Sequence, residues 1–412
     1  MKKLLMLAII IAVVFVLVFA GCSKTTTTPA PAPAPAPTPA APAPAPQTLN
    51  IGAVWGMTGP FSAGELLMVK GEAICKDWIN SKGGITVKGQ KYLINMIDFD
   101  NKSTGDGSVT GAQKLVFQDK VKFVIGDVVG FTIEATRSIT DPNKVLYFTS
   151  EYDTPSTNFP YTVGAYFAYW ASKPALYDYL VKAYPNVKTV TLAHQDELSN
   201  KMADDKAIEM IKSHGLTLLH DETYPMGVSD HLPLVTKLVA THPDVIDFNM
   251  ESNVGAADIV KNARQLGFKG PLLYNSPTDI NSLISMIGNP AYSTDFILPA
   301  FDPNTPNITP LLTQIIKLWD NAYHTPFYVD ALRGWDPLYC VVQAIEKAQS
   351  LDPADVVKAL QTMDTIDTAE GPAKIGGQKT FGFKSMVLPD CPITRVMNGK
   401  AEFIGFTPVD VP

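Results

Sequence analysis

Cysteine, histidine and charge are all scarce in this 412-residue chain, which has 4 cysteines, 6 histidines and 18% charged residues. No two cysteines form a C-x-x-C pair, and Cys22 stands apart near the amino terminus. The other three, Cys75, Cys340 and Cys391, are an odd number that cannot all be bridged within one chain. Cys340 and Cys391 read either as a bridge or as buried free thiols, so cysteine does not define the fold. The histidines, at 194, 214, 220, 231, 242 and 324, show no i, i+4 pair with a glutamate, which argues against a zinc-hydrolase motif. There is no G-x-S-x-G elbow and no P-loop. Gly105-x-Gly107 is not completed as a dinucleotide fingerprint, because Thr110 holds the third glycine's place. Asp98-x-Asp100 fails as a calcium loop, with Lys102 where a ligand is needed. Ser229-Asp230-His231 reads as a helix cap and first turn rather than a triad. No nucleophile, base and oxyanion donor assemble, so an enzyme on this scaffold is the least favoured reading and no catalytic or metal-binding residue is expected.

Basic excess is missing too. Removing residues 1–21 takes away Lys2 and Lys3 and leaves 31 basic against 40 acidic residues, a formal charge of −9. That balance argues against nucleic acid and against docking on anionic lipid. After residue 21 no apolar run reaches the length needed to span a bilayer.

What is present is concentrated at the start. Lys2 and Lys3 precede the uncharged stretch Leu4–Ala20, which ends in Phe19-Ala20-Gly21-Cys22. This is the layout of a secretory signal. The segment resembles a bacterial lipoprotein signal (residues 1–21), in which the cysteine, here Cys22, is acylated and becomes the first residue. The alternative is an uncleaved membrane anchor. Pro and Ala then alternate from Pro29 to Pro46, so residues 22–47 read as an extended, polyproline-like tether. Either way, the remaining chain is expected to work outside the cytoplasm, held at the membrane.

From Leu49 onward, short Val/Ile/Phe-rich strands alternate with helical patterns: Leu49–Val54, Glu65–Asn80, Tyr92–Phe99, Ala112–Gln118, Val121–Ile125, Ile133–Ile139 and Val145–Phe148. A second run begins at Thr189–Ala193 and continues through Pro271–Tyr274. Two successive runs of this kind specify two α/β lobes built on parallel sheets. Later helices are read at Pro310–Ala322, Asp336–Ser350 and Pro353–Met363, the last capped by Asp352, before a hairpin-like tail over Gly371–Phe406. Ligands of open parallel sheets gather at the carboxyl ends of the strands, and a gap between two lobes is a preferred small-molecule site.

Gly56-Met57-Thr58-Gly59-Pro60, Asn80-Ser81-Lys82-Gly83-Gly84-Ile85, Phe123-Val124-Ile125-Gly126, Ala263-Arg264-Gln265-Leu266-Gly267 and Ala344-Ile345-Glu346-Lys347-Ala348 occur in an ordered set across residues 49–405. In this the chain resembles the leucine/isoleucine/valine-binding proteins, the solute receptors of one class of bacterial ABC importer. The resemblance implies a type I periplasmic-binding-protein fold: two Rossmann-like lobes, three crossovers near Gly164, Leu298 and Met386, and hinge closure on a ligand. Lobe 1 would take residues 48–164 and 299–385, lobe 2 residues 165–298 and 386–412. It implies a monomer with no cofactor, whose partners are a small-molecule ligand and the membrane permease subunits. A ligand-sensing receptor coupled to a signalling partner is the runner-up.

The family's carboxylate-holding serine loop and Ala-x-Thr are replaced here by Gly130-Phe131-Thr132 and Glu151-Tyr152-Asp153, and Ser276 stands at the ammonium-pairing glutamate's place. Two acids at that point repel an anion, so leucine, isoleucine and valine are disfavoured. Hydroxyls, amides, cations or an aromatic body suit the site better, with Trp55, Phe131 and Tyr152 as candidate flanking rings. Thr58, Glu251 and Asn253 complete the expected ligand set, with Gln195 and Asp196 as weaker members. Tyr166 and Trp335 read as either wall or packing residues.

Overall fold

The computed structural model describes residues 45–151, 156–166, 168–249, 252–276, 279–302, 305 and 308–411. Two sheets dominate these residues. In the first, of nine strands, Gln47–Trp55 lies between Gln90–Asp100 and Phe123–Gly126, followed outward by Leu146–Thr149 and Thr162–Gly164, all parallel. Short antiparallel strands finish both edges. In the second, of seven strands, Thr189–Gln195 lies between Thr217–Tyr224 and Val245–Phe248, followed by Leu272–Tyr274 and Phe296–Leu298, again parallel. Phe123–Gly126, Leu146–Thr149 and Val245–Phe248 are buried at every position, as strands covered by helices on both faces must be.

The chain leaves the first sheet after Gly164, returns after Leu298, and leaves again after Leu388. Met386–Leu388 pairs with Gly164 and Gly371–Gly376 in the first sheet, whereas the sequence reading assigned residues from 386 onward to the second lobe. Its Met386 and Leu388 side chains nonetheless pack in the second core beside Tyr177 and Ile393. Strands that share two cores in this way are what tie the lobes together.

The late helices return to the first lobe because their apolar faces find its sheet and its first helix. Leu332–Ala348 lies against Ser62–Ser81, with Trp78, Trp335 and Tyr339 in mutual ring contact. Two glycines permit the approach. A Cβ on Gly71 would stand 1.9 Å from the Ala331 carbonyl oxygen, and one on Gly334 would stand 1.8 Å from that of Met68. This helix contains Pro337, and the sequence reading started it only at Asp336. Proline cannot donate to the carbonyl four residues back, that of Arg333. The Ser150 hydroxyl donates to it instead at 2.6 Å, so the helix runs through the proline and carries Arg333 in its first turn.

Other departures are local. The helical pattern over 112–118 divides into an α-helix Gly105–Gln113 and a wider π turn Lys114–Gln118. Helices Lys173–Ala183 and Ile280–Ile287 were not read from the sequence. Cys75, Cys340 and Cys391 are buried free thiols. Among the described residues no helix is long and apolar enough to cross a membrane.

Candidate functional site

In each sheet the strand order reverses at one strand, and the loops leaving such a point diverge to open a crevice. In the first sheet these loops follow Trp55 and Gly126; in the second they follow Gln195 and Phe248. All four reach one cavity of about 580 Å³ between the sheets. Pro60 and Phe61, Val128–Gly130, Gln195 and Glu197, and Ser252 and Asn253 line it from the four loops. Met226, Val228, Tyr274 and Met68 add apolar wall, and Asp330 and Arg333 enter from the start of the returned helix.

Local chemistry fixes the loop after Phe123–Gly126. Gly126 has φ 121°, and a Cβ there would fall 2.2 Å from the Val54 carbonyl oxygen, so only glycine fits. The fully buried Asp127 then accepts bonds from Asn101 Nδ2 at 2.7 Å, Thr136 Oγ1 at 2.6 Å and the Tyr147 hydroxyl at 3.1 Å. Burial raises its carboxyl to about 6, and these hydrogen bonds hold it back from rising further.

The expected ligand residues separate into three groups. Gly130, Asn253 and Ser276 line the cavity, as does the weaker candidate Gln195. Glu151 lies behind the wall: it is 1% exposed, and its Oε1 accepts the Tyr169 amide at 3.3 Å. Trp55, Thr58, Phe131 and Thr132 do not line it. Trp55 is wholly buried, because its side chain points inward from the strand end and its indole N–H donates to Glu72 at 2.7 Å. Thr58 turns outward, its hydroxyl donating to Asp100 at 2.7 Å. Phe131 is 43% exposed with its ring 6.3 Å from that of Phe61, and of these two rings it is Phe61 that lines the cavity. Thr132 is buried and bonds back to the Val129 carbonyl at 2.8 Å. Tyr166 and Trp335 are packing residues, with the Tyr166 hydroxyl on Glu370 at 3.2 Å and Trp335 against Trp78. Cys22, Tyr152, Asp153 and Glu251 lie outside the described residues.

Sequence reasoning missed Arg333, whose only signal is a lone cation in the apolar stretch Ala331-Leu332-Arg333-Gly334-Trp335. It is 4% exposed; Nη1 donates to the Tyr169 hydroxyl at 3.0 Å, and the guanidinium lies over the rings of Tyr166 and Tyr169. Among the described residues Nη2 has no hydrogen-bond partner. Burial opposes its charge, but Tyr169, Glu151 and Asp330 around it hold the guanidinium protonated, above its ordinary range. Burial pushes the Asp330 carboxyl up, with Arg333 pulling it back. Glu65, 2% exposed on the same wall, is raised to about 7 by burial despite the Gly56 amide it accepts at 2.5 Å. Asn200, from the opposite lobe and 2% exposed, carries an Oδ1 with no hydrogen bond among the described residues. Arg333 and Asn200 thus line the cavity from opposite lobes, each with one buried polar atom that no described residue bonds.

Comparison with known proteins agrees with this architecture. The family model described as "Periplasmic binding protein" matches residues 48–388. A Leu/Ile/Val-binding protein homolog from Brucella melitensis is 25% identical over 330 residues, 78% of this chain and 86% of the relative. The isoleucine complex of LivJ, a branched-chain amino acid transporter substrate-binding protein from Streptococcus pneumoniae, superimposes with TM-score 0.72 at 18% identity, over 89% of this chain and 100% of the other. A solute-binding protein of an ABC transporter from Rhodopseudomonas palustris, in complex with 3,4-dihydroxybenzoic acid, does so with TM-score 0.69 at 15% identity, over 88% and 98%. With a matching family model over most of its length and a two-lobed architecture to go with it, this chain is a member of the periplasmic binding protein family, with the type I fold of the leucine/isoleucine/valine-binding branch.

Proposed function

We propose that the protein is the extracytoplasmic receptor of an ABC importer, capturing a small polar or aromatic solute between its lobes and releasing it to membrane permease subunits. The observation that carries this reading is the 580 Å³ cavity where the switch-point loops of both sheets meet. Ligand bound there touches both lobes at once, so it favours a closed arrangement over an open one, and hinge closure follows from that differential contact. Acylation at Cys22 and the Pro/Ala tether would keep the monomeric receptor near its permease.

Arg333 Nη2 calls for an acceptor oxygen, while Asp330, Glu197 and Glu65 add three carboxyl groups to the same lining. A solute carrying an oxygen acceptor beside hydrogen-bond donors fits that pattern better than a bare anion. Amides, polyols and hydroxylated aromatics have this character, and Phe61, Tyr169 and Tyr274 supply flat apolar surface. The relatives named above are binding proteins, which supports a binding rather than a catalytic role for this chain.

A thermal-shift screen across amino acids, polyols, amides and aromatic acids tests the proposal. One of these classes should raise the melting temperature by mass action, and Arg333→Met should abolish that rise. A screen in which no class stabilises the protein would refute the receptor reading. Strong stabilisation by leucine or valine would instead overturn the argument from the acidic wall.

A further inference from the structure

The second lobe holds a cluster that the solute site does not use. His194 is the penultimate residue of the strand Thr189–Gln195, Asp221 lies on the neighbouring strand Thr217–Tyr224, and Asp204 comes from the helix Leu198–Ser213 packed over both. Each offers one ligand atom, and the three atoms lie within 4.8 Å of one another. We propose that His194, Asp204 and Asp221 form a binding site for a divalent metal of the zinc class.

Spacing is the first argument. His194 Nδ1 stands 3.3 Å from Asp221 Oδ1 and 3.6 Å from Asp204 Oδ2. Ligands at ~2.0–2.1 Å from a tetrahedral zinc lie roughly 3.3–3.4 Å apart along each edge, whereas a charge-assisted hydrogen bond would close to about 2.7–2.9 Å. The second argument is unmet polarity. His194 is 6% exposed and Asp204 2% exposed, yet among the described residues His194 Nδ1 meets the carboxylates only at ion-pair distance and Asp204 Oδ1, the oxygen beside the one that faces it, has no hydrogen bond. Buried polar atoms are rarely left so.

Orientation and charge agree. His194 Nε2 lies 3.1 Å from Thr223 Oγ1, a contact that turns Nδ1 toward both carboxylates, where a metal would take the place of the proton they favour. The nearby ammonium groups are engaged elsewhere, Lys173 on Asp247 at 2.6 Å and Lys201 on Asp205 at 3.2 Å. Even a protonated imidazole leaves the cluster with one net negative charge, which a dication reverses. Asp221 is one-third exposed at its side chain, giving an ion a way in and room for a water as fourth ligand. One imidazole with two carboxylates suits zinc, cobalt or nickel better than calcium or magnesium. Asp204 follows Asn200 by one helical turn, so a metal here would clamp the helix that carries a cavity wall. The inference stands apart from the solute reading.

The test is calorimetric titration of ZnCl₂ into chelator-treated protein, with melting temperatures in parallel. One equivalent should bind and raise the melting temperature in the parent, and His194→Gln, Asp204→Asn and Asp221→Asn should each abolish both effects. Asp221→Asn changes the most exposed of the three, with about one-third of its side chain accessible, and keeps the test decisive should a buried variant not fold. His214→Ala and His220→Ala, which remove surface histidines paired with Asp178 and Glu222, should leave binding intact. In the parent, Co²⁺ should give the intense visible bands of a tetrahedral site. Absence of zinc binding, retention of it in Asp221→Asn, or a pale octahedral cobalt spectrum would each overturn the proposal.

Discussion

Lys173 and Asp247 make an ion pair with no exposure on either side chain, Nζ standing 2.6 and 2.8 Å from the two carboxylate oxygens. The Tyr177 hydroxyl donates to the same carboxylate at 2.8 Å. Lys173→Met removes the cation, keeps most of the volume, and leaves a buried carboxylate with that one hydroxyl. Breaking a buried pair from one side costs ~3–5 kcal/mol, and the surviving tyrosine bond points to the lower end, about 3 kcal/mol. Against a typical stability of about 5–15 kcal/mol that is a large loss. Tyr177→Phe should cost only ~1–1.5 kcal/mol, a single hydrogen bond to a charged group. The triple variant Lys173→Met, Asp247→Leu, Tyr177→Phe should recover to near the parent, because nothing polar remains to be desolvated. Urea unfolding followed by circular dichroism measures all three. A loss under about 1 kcal/mol for Lys173→Met, or a triple variant no more stable than the single, would refute the view that desolvation dominates here.

Two further outcomes follow from the first lobe. Gly71→Ala places a methyl 1.9 Å from the Ala331 carbonyl oxygen, which cannot move without shifting the helix that bears Arg333. It should cost ~1–3 kcal/mol by overpacking in urea unfolding, and a neutral result would mean that the two helices are not closely apposed. Glu65, raised to about 7 from 4.5, binds more proton folded than unfolded between those values, so its contribution to stability falls as pH rises through that window. Glu65→Gln should therefore gain up to about 3 kcal/mol relative to the parent on going from pH 5 to pH 8; a pH-independent difference would show that the carboxyl is not buried.

Most of the sheet was legible because interior parallel strands are largely apolar on both faces, and Phe123–Gly126 can be little else. Thr162–Gly164 and Phe296–Leu298 were not legible, since three residues carry no periodicity. Of the candidate site, the expected loops reach the cavity, whereas several of the expected side chains do not line it. Loop position follows from strand order, which the βα alternation fixes, but a side chain's direction depends on what it meets. Trp55 met Glu72 in the core, and Thr58 met Asp100 at the surface.

The sequence by itself determined the class of fold, two lobes of parallel sheet with a crevice at their strand ends, because hydrophobic period and strand–helix alternation are local properties. Arg333 was decided only in three dimensions. Its place on the cavity wall depends on a helix that passes through Pro337, and that helix persists because Ser150, distant in the chain, donates to the carbonyl the proline cannot reach. The gathering of His194, Asp204 and Asp221 was decided the same way, by a helix laid across two neighbouring strands. A hydrogen bond supplied from another element leaves no pattern in either stretch of sequence.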